Sequence, residues 1–180
     1  NIKKYLKKKL NLEAKELKQF NLRKKLKIDV NKKQVGSDRL ANAISVINNK
    51  DNFIILDFGT ATTFDVVLKN RYKGGIIAPG VNLSLKTLVE KAKLIPNIKL
   101  SKIKNIIGKN TQNAVKSGFY WGYQGLIKNL INLIEKKNKK KFKIIFTGGL
   151  SHLYKNTIKK KIKVDKDLTI KGLLKLVVTE

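Results

Sequence analysis

The chain has 180 residues, 42% of them hydrophobic, enough for a sizeable core, and it has no cysteine and one histidine, which excludes disulfides and thiolate metal sites. Its formal charge of +29 invites a nucleic-acid reading, but only Arg23, Arg39 and Arg71 are arginine and the lysines are spread along the chain, so biased composition explains the charge better than a dedicated nucleic-acid surface. No apolar run approaches the roughly 18 residues of a membrane span, and nothing resembles a secretory signal.

Ile2, Tyr5, Leu6 and Leu10 suit a short helix, and Leu26, Ile28 and Val30 alternate like a short strand before a turn at Asn31 to Lys33. From Ser37 the period becomes helical, with Leu40, Ala43, Ile44 and Ile47 on one face, and residues 48–52 end it. A β-meander follows over 53–58, 62–69 and 72–78, with a bulge or close backbone approach expected at Gly74-Gly75. The next helix carries Leu85, Leu88, Val89 and Ala92 on one face and is stopped by Pro96. The longest helix spans 111–136, with Val115, Gly118, Phe119, Gly122, Leu126, Leu130 and Ile134 as its expected buried stripe and Gly118/Gly122 as a close-packing pair. A strand at 142–146 then runs into Thr147-Gly-Gly149 and a helix start, and a last helix begins near Leu168. The order predicts an α/β fold of the ribonuclease H-like, actin/sugar-kinase ATPase class. One half of it is expected here as a mixed sheet flanked by helices over residues 36–180, with residues 1–35 as a remnant of the other half and its connection.

Asp57-Phe-Gly-Thr-Ala-Thr-Thr-Phe-Asp65 sits in a tight strand–turn–strand. Such a turn offers backbone N–H groups and hydroxyls to a phosphate, and Asp57 can hold a cation or a bridging water. No GxxxxGK[ST] loop occurs. Asp38 and Arg39 open a helix, where Asp is a preferred cap. Phosphoryl transfer to an alcohol equally needs a carboxylate near the attacking hydroxyl and a cation for an acidic acceptor. Thr111 also stands at a helix start, where capping is the plainer reading. Gly148 and Gly149 fit a strand-to-helix turn, Asp65 reads as structural, and the single His152 as structural or solvent-facing.

Gly36-Ser-Asp-Arg39, Asp57-Phe-Gly-Thr-Ala-Thr-Thr63, Gly74-Gly-Ile-Ile-Ala-Pro-Gly80, Ile107-Gly-Lys-Asn-Thr111 and Thr147-Gly-Gly149 occur in the order and spacing of type III pantothenate kinases, which residues 30–180 resemble. The resemblance implies ATP-dependent phosphorylation of pantothenate, the first step of coenzyme A synthesis, by a cytoplasmic homodimer. It implies Asp38 as general base, with Gly36, Ser37, Arg39 and Thr111 on the substrate and Thr111 reaching across the dimer. It implies Gly59, Thr60, Gly148 and Gly149 on ATP, Asp57 on a monovalent cation (potassium or ammonium), and magnesium with the nucleotide. The family's opening strand, with Asp-x-Gly-Asn-Thr on the phosphates, has no match here, and the chain has no methionine even at position 1, so the sequence reads as a fragment that is inactive alone. Where family members often carry Tyr and Asn-Pro, this chain has Val30, Asn31 and Lys32. Two other readings stay open: another small-molecule kinase on the same fold, and a basic, non-catalytic nucleic-acid-binding or regulatory protein.

Overall fold

The computed structural model describes residues 2–178. Its helices are α1 (Ile2–Leu10), α2 (Ser37–Val46), α3 (Val81–Lys91), α4 (Thr111–Asn138), α5 (Ser151–Tyr154) and α6 (Leu168–Val177). Its strands are β1 (Lys27–Ile28), β2 (Asn52–Phe58), β3 (Ala61–Leu68), β4 (Arg71–Pro79), β5 (Lys143–Gly148) and β6 (Ile162–Val164). They form one mixed sheet in the order β1-β4-β3-β2-β5-β6. The β2–β3–β4 meander is antiparallel, while β5 pairs parallel to β2, β6 to β5 and β1 to β4.

The period-two alternation of the strands divides the core into two layers. Phe53, Ile55, Val67 and Tyr72 face α2 and α6, in a cluster with Leu40, Ala43, Ile44, Leu168 and Leu176. Ile54, Leu56, Phe58, Phe64 and Val66 face α4, in a cluster with Tyr120, Ile127, Ile131 and Ile134. Leu17, Leu22, Leu26 and Val35, from the segment before α2, are buried in the first layer.

Three expectations need correction. On α4 the buried residues are Ser117, Tyr120, Ile127, Ile131 and Ile134, so of the expected stripe only Ile134 is fully buried. Phe119, Leu126 and Leu130 flank the true stripe, partly covered, and Gly118 and Gly122 face open space with no neighbour near a built Cβ. Apolar residues wrap more than one side of this helix, and spacing alone could not say which row the sheet would take. On α3, Val81 and Leu85 are buried while Leu88 is exposed, because only the first turns lie over the sheet. Of Leu26, Ile28 and Val30, only Ile28 joins the ladder; Val30 is exposed.

α6 crosses α2 at Gly172, where a Cβ would overlap the backbone carbonyl of Ala41. Gly172→Ala should therefore lower stability by about 1–3 kcal/mol. Gly125→Ala on α4, where nothing lies near the added carbon, should instead raise it by up to about 1 kcal/mol through helix propensity. Urea denaturation of both variants checks the opposite signs.

Candidate functional site

The apolar α2-facing side of the sheet carries two carboxylates. Asp57 stands near the end of β2, opposite Thr63, and Asp65 lies in β3, opposite Ile55. Alternation puts both on the face that α2 covers. Arg39 and Asn42, three residues apart on α2, answer them separately. Arg39 donates from Nε to Asp65 Oδ1 at 2.8 Å, and its Nη2 lies 2.7 Å from the same oxygen. Asn42 donates from Nδ2 to Asp57 Oδ2 at 3.1 Å, and its own Oδ1 accepts the Thr169 hydroxyl from α6 at 2.7 Å.

Asp38 occupies the first turn of α2 and is exposed. It is not the cap. Gly36 holds that position and contributes no side-chain hydrogen bond. Asp38 Oδ1 instead accepts the N–H of Arg39 at 2.9 Å. Its charge reaches Asp57: burial raises the pKa of Asp57 above the ordinary carboxylate range, the Asn42 hydrogen bond opposes this, and Asp38 adds to it. In a chain of net charge +29, no ion pair is described for either Asp38 or Asp57 among the described residues, whereas Asp29, Asp51, Glu135 and Asp165 all hold lysine or arginine partners.

The glycines of the motifs close around Asp57. Gly148, at φ 82°, is opposite Phe58 on the neighbouring strand, and a Cβ there would lie 2.6 Å from Asp57 Oδ1. Its left-handed backbone conformation and its missing side chain let the turn after β5 approach Asp57 and Phe58 this closely. A Cβ on Gly59 would come to 3.9 Å of the same Asp57 oxygen. Asp57 Oδ1 and the Phe58 carbonyl oxygen both lie beside Gly148, and both are hard oxygen donors. Among the described residues, no three His, Asp or Glu side chains gather as a polyvalent metal site.

Thr60 is exposed at the β2–β3 apex, and its carbonyl accepts the N–H of Gly80 at 3.0 Å. A Cβ on Gly149 would meet open space, and Ser37 begins α2. Thr111 begins α4 but does not cap it; the Asn110 side chain accepts the Asn113 N–H at 2.9 Å. No hydrogen bond joins Thr111 to the Asp38–Asp57 group among the described residues. The bulge falls at Lys73, just ahead of Gly74-Gly75, and Gly75 makes the close approach, against Arg39 and the Phe64 carbonyl. His152 is exposed. A separate cleft of about 1110 Å³ opens at the other end of β2 and β5, around Asp51, Phe142 and Lys143, away from these residues.

Asn42, Thr169 and Tyr72 were not picked out from sequence as site residues. The available signal was a buried amide inside Leu40-Ala-Asn-Ala-Ile44, where an apolar residue would fill a helix face.

A carboxyl whose pKa rises on folding weakens the fold once it ionises. Stability attributable to Asp57 thus falls as pH climbs from the ordinary carboxylate range through the raised folded value, and stays lower at neutral pH. Asp57→Asn keeps an acceptor for Asn42 and removes the charge. Its urea midpoint should exceed that of the unaltered chain at pH 7, and the two should converge in acid; a lower midpoint at pH 7 would contradict the burial argument.

The family profile of type III pantothenate kinases matches residues 1–133. A type III pantothenate kinase from Pelagibacter ubique is 62% identical over 174 residues, covering 97% of this chain and 70% of that protein. One from Ruegeria sp. is 42% identical over 144 residues, covering 79% of this chain and 55% of its own length. The chain thus spans 70% and 55% of the length of these two relatives. Among solved structures, a conserved Baf family transcriptional activator from Campylobacter jejuni superposes with a TM-score of 0.67 at 24% identity, over 98% of this chain and 77% of that one. That likeness carries the fold alone: a mixed sheet flanked by helices, as expected. With five motifs in register, a profile over most of the chain and a close relative along nearly all of it, the chain belongs to the type III pantothenate kinase family.

Proposed function

We propose that this chain is the acceptor-binding part of an enzyme that transfers the γ-phosphoryl group of ATP to the primary hydroxyl of pantothenate. The observation that carries the reading is the exposed Asp38 carboxylate on the first turn of α2, within electrostatic reach of a half-buried Asp57, with no ion pair described for either. Asp38 accepts the hydroxyl proton as the oxygen attacks phosphorus and ADP departs. Arg39, with Gly36 and Ser37, holds the acidic acceptor. Gly59, Thr60, Gly148 and Gly149 line the nucleotide. Asp57 would hold potassium or ammonium, a charge that would offset those of Asp38 and the phosphates, and magnesium would come with the ATP phosphates. The chain's own residues contribute mostly position and electrostatics, as phosphoryl transfer requires.

The proposal places the enzyme in the cytoplasm as a homodimer with Thr111 completing the partner's pocket. The exposed Gly118, Gly122 and Trp121 side of α4 is the face assigned to that contact. Among the described residues no helix is long and apolar enough to cross a membrane. Scarce arginine argues against nucleic acid as the partner.

In the full-length enzyme, Asp38→Asn should lower kcat by about 10²–10⁴-fold, with ATP affinity nearly unchanged, because the amide matches the carboxylate in shape but cannot take the proton. Pantothenate-dependent ADP release measures this; a kcat within about threefold of the unaltered enzyme would remove Asp38 from the chemistry.

Thr111→Ala should raise KM for pantothenate about 5- to 30-fold and leave KM for ATP in place, the value of one hydrogen bond to a bound ligand. Equal changes in both constants would contradict the assignment of Thr111 to the acceptor.

A further inference from the structure

Asp65, expected to be structural, has surroundings that suit a more specific task. It is fully buried in β3. Three side chains converge on it: Arg39 through Nε and Nη2, the Tyr72 hydroxyl at 2.6 Å from Oδ1, and the Thr63 hydroxyl at 3.4 Å from Oδ2. Stability alone does not explain the pair, since replacing both partners of a buried ion pair by well-packed hydrophobic groups is often neutral or stabilising. The arrangement also reserves room for the guanidinium. Gly75 lies opposite Asp65 on β4, and a Cβ there would stand 2.6 Å from Arg39 Nη2 and overlap the Phe64 carbonyl.

Arg39 leads directly to the site. It neighbours Asp38 in the first turn of α2, a turn without a side-chain cap. Its backbone N–H is held by the Asp38 carboxylate. An unbroken chain of contacts therefore runs from Asp65 through the Arg39 side chain and the Arg39 N–H to Asp38 Oδ1. The guanidinium hydrogen-bonds to Asp65 through Nε, with Nη2 in ion-pair contact with the same oxygen, and no hydrogen bond from Nη1 is formed among the described residues.

We propose that Asp65 is a positioning residue of the acceptor site: by clamping Arg39 it holds the first turn of α2, and with it Asp38, in place beside Asp57. The assignment rests on the reading of Asp38 as the proton acceptor. Tyr72 and Thr63 keep the Asp65 carboxylate from turning, and Gly75 lets the clamp close. The spare donors of Arg39 then stand at a fixed place for an anionic acceptor.

The full-length enzyme tests the clamp through coupling. Asp65→Asn, nearly the same shape but neutral, should lower pantothenate-dependent turnover about 10- to 100-fold, with KM for ATP within about twofold, as expected for a misplaced catalytic group. Arg39→Lys, which loses the planar fork, should do likewise. The double variant should be no worse than the weaker single by more than about threefold, because both break the same link. Independent, multiplying losses, or a rise in ATP KM equal to that for pantothenate, would overturn the proposal. Should the unaltered enzyme phosphorylate a different acceptor, the substrate reading fails, and the same coupling is read on that acceptor.

A second measurement needs no activity. In the 180-residue chain, Asp65→Asn should move the backbone amide resonances of residues 37–39 more than those of residues 44–46 at the other end of α2. Tyr72→Phe, which removes one hydrogen bond and spares the ion pair, should move them less and in the same direction. Equal shifts along the helix, or none, would show that Asp65 does not position its first turn.

Discussion

Two carboxylates set into one apolar face of a sheet are the constraint on which the rest of this structure depends. Asp57 and Asp65 lose water when α2 closes over them, and burial raises the pKa of both. The helix must therefore bring groups that compensate. For Asp65 it brings a full charge: burial works against the Arg39 guanidinium, but the hydrogen bond and ion pair with Asp65 outweigh it, and the pKa of Arg39 ends above its ordinary value. For Asp57 it brings only the amide of Asn42, and Asp38 adds a like charge nearby. One carboxylate is neutralised within the fold, and the other faces a neutral amide. Two aspartates on the same face of one meander thus meet opposite electrostatic surroundings.

Tyr72 belongs to the same balance. Burial pushes its hydroxyl pKa well upward, and the charge and hydrogen bond of Asp65 add to this, so it serves as a permanent donor. α6 enters through Thr169, which orients the Asn42 amide so that its nitrogen points at Asp57. Every element that touches the two carboxylates is also tied to the apolar layer beneath them, where Leu40, Ile44, Ile55, Val67 and Leu168 pack. The position of the polar groups is inherited from that packing.

Much of this was legible in the residues. The meander, the irregularity beside its Gly74-Gly75 pair and the helices opening at Ser37, Thr111 and Leu168 all follow from period and turn chemistry. Gly148 lies against Asp57, and the charge of Asp38 reaches the same carboxylate. What stayed hidden depends on partners distant in sequence. Asp65 lies in Phe64-Asp-Val-Val67, where a charge inside a buried strand announces that something must neutralise it but not which residue does. The caps at α2 and α4 fell one or two residues ahead of the expected Asp38 and Thr111, since a helix start is fixed only by where the backbone turns. The stripe of α4 was misplaced because its apolar residues satisfy several rows, and the sheet alone selects among them.

The irregularity in β4 has a consequence for how this gene can change length. Val67 pairs with Tyr72, yet Val66 pairs with Gly74, so Lys73 is an extra residue without an opposite number. That extra residue puts Tyr72 and Gly75, three apart, on the same side of the sheet, one supplying a hydroxyl to Asp65 and the other an absence of bulk. It also turns Ile76 toward the α4 layer and leaves Ile77, opposite Thr63, exposed. Loss of the Lys73 codon would leave Gly74 opposite Val66, Gly75 opposite Asp65 and Ile76 opposite Phe64, so the strand would keep its two sides as far as Pro79 and lose only the local bend that a bulge adds. Loss of a second codon would shift every later residue by one, set Ile76 against Asp65 and exchange the two sides. Between Tyr72 and Gly75 the strand therefore has one residue of slack and no more.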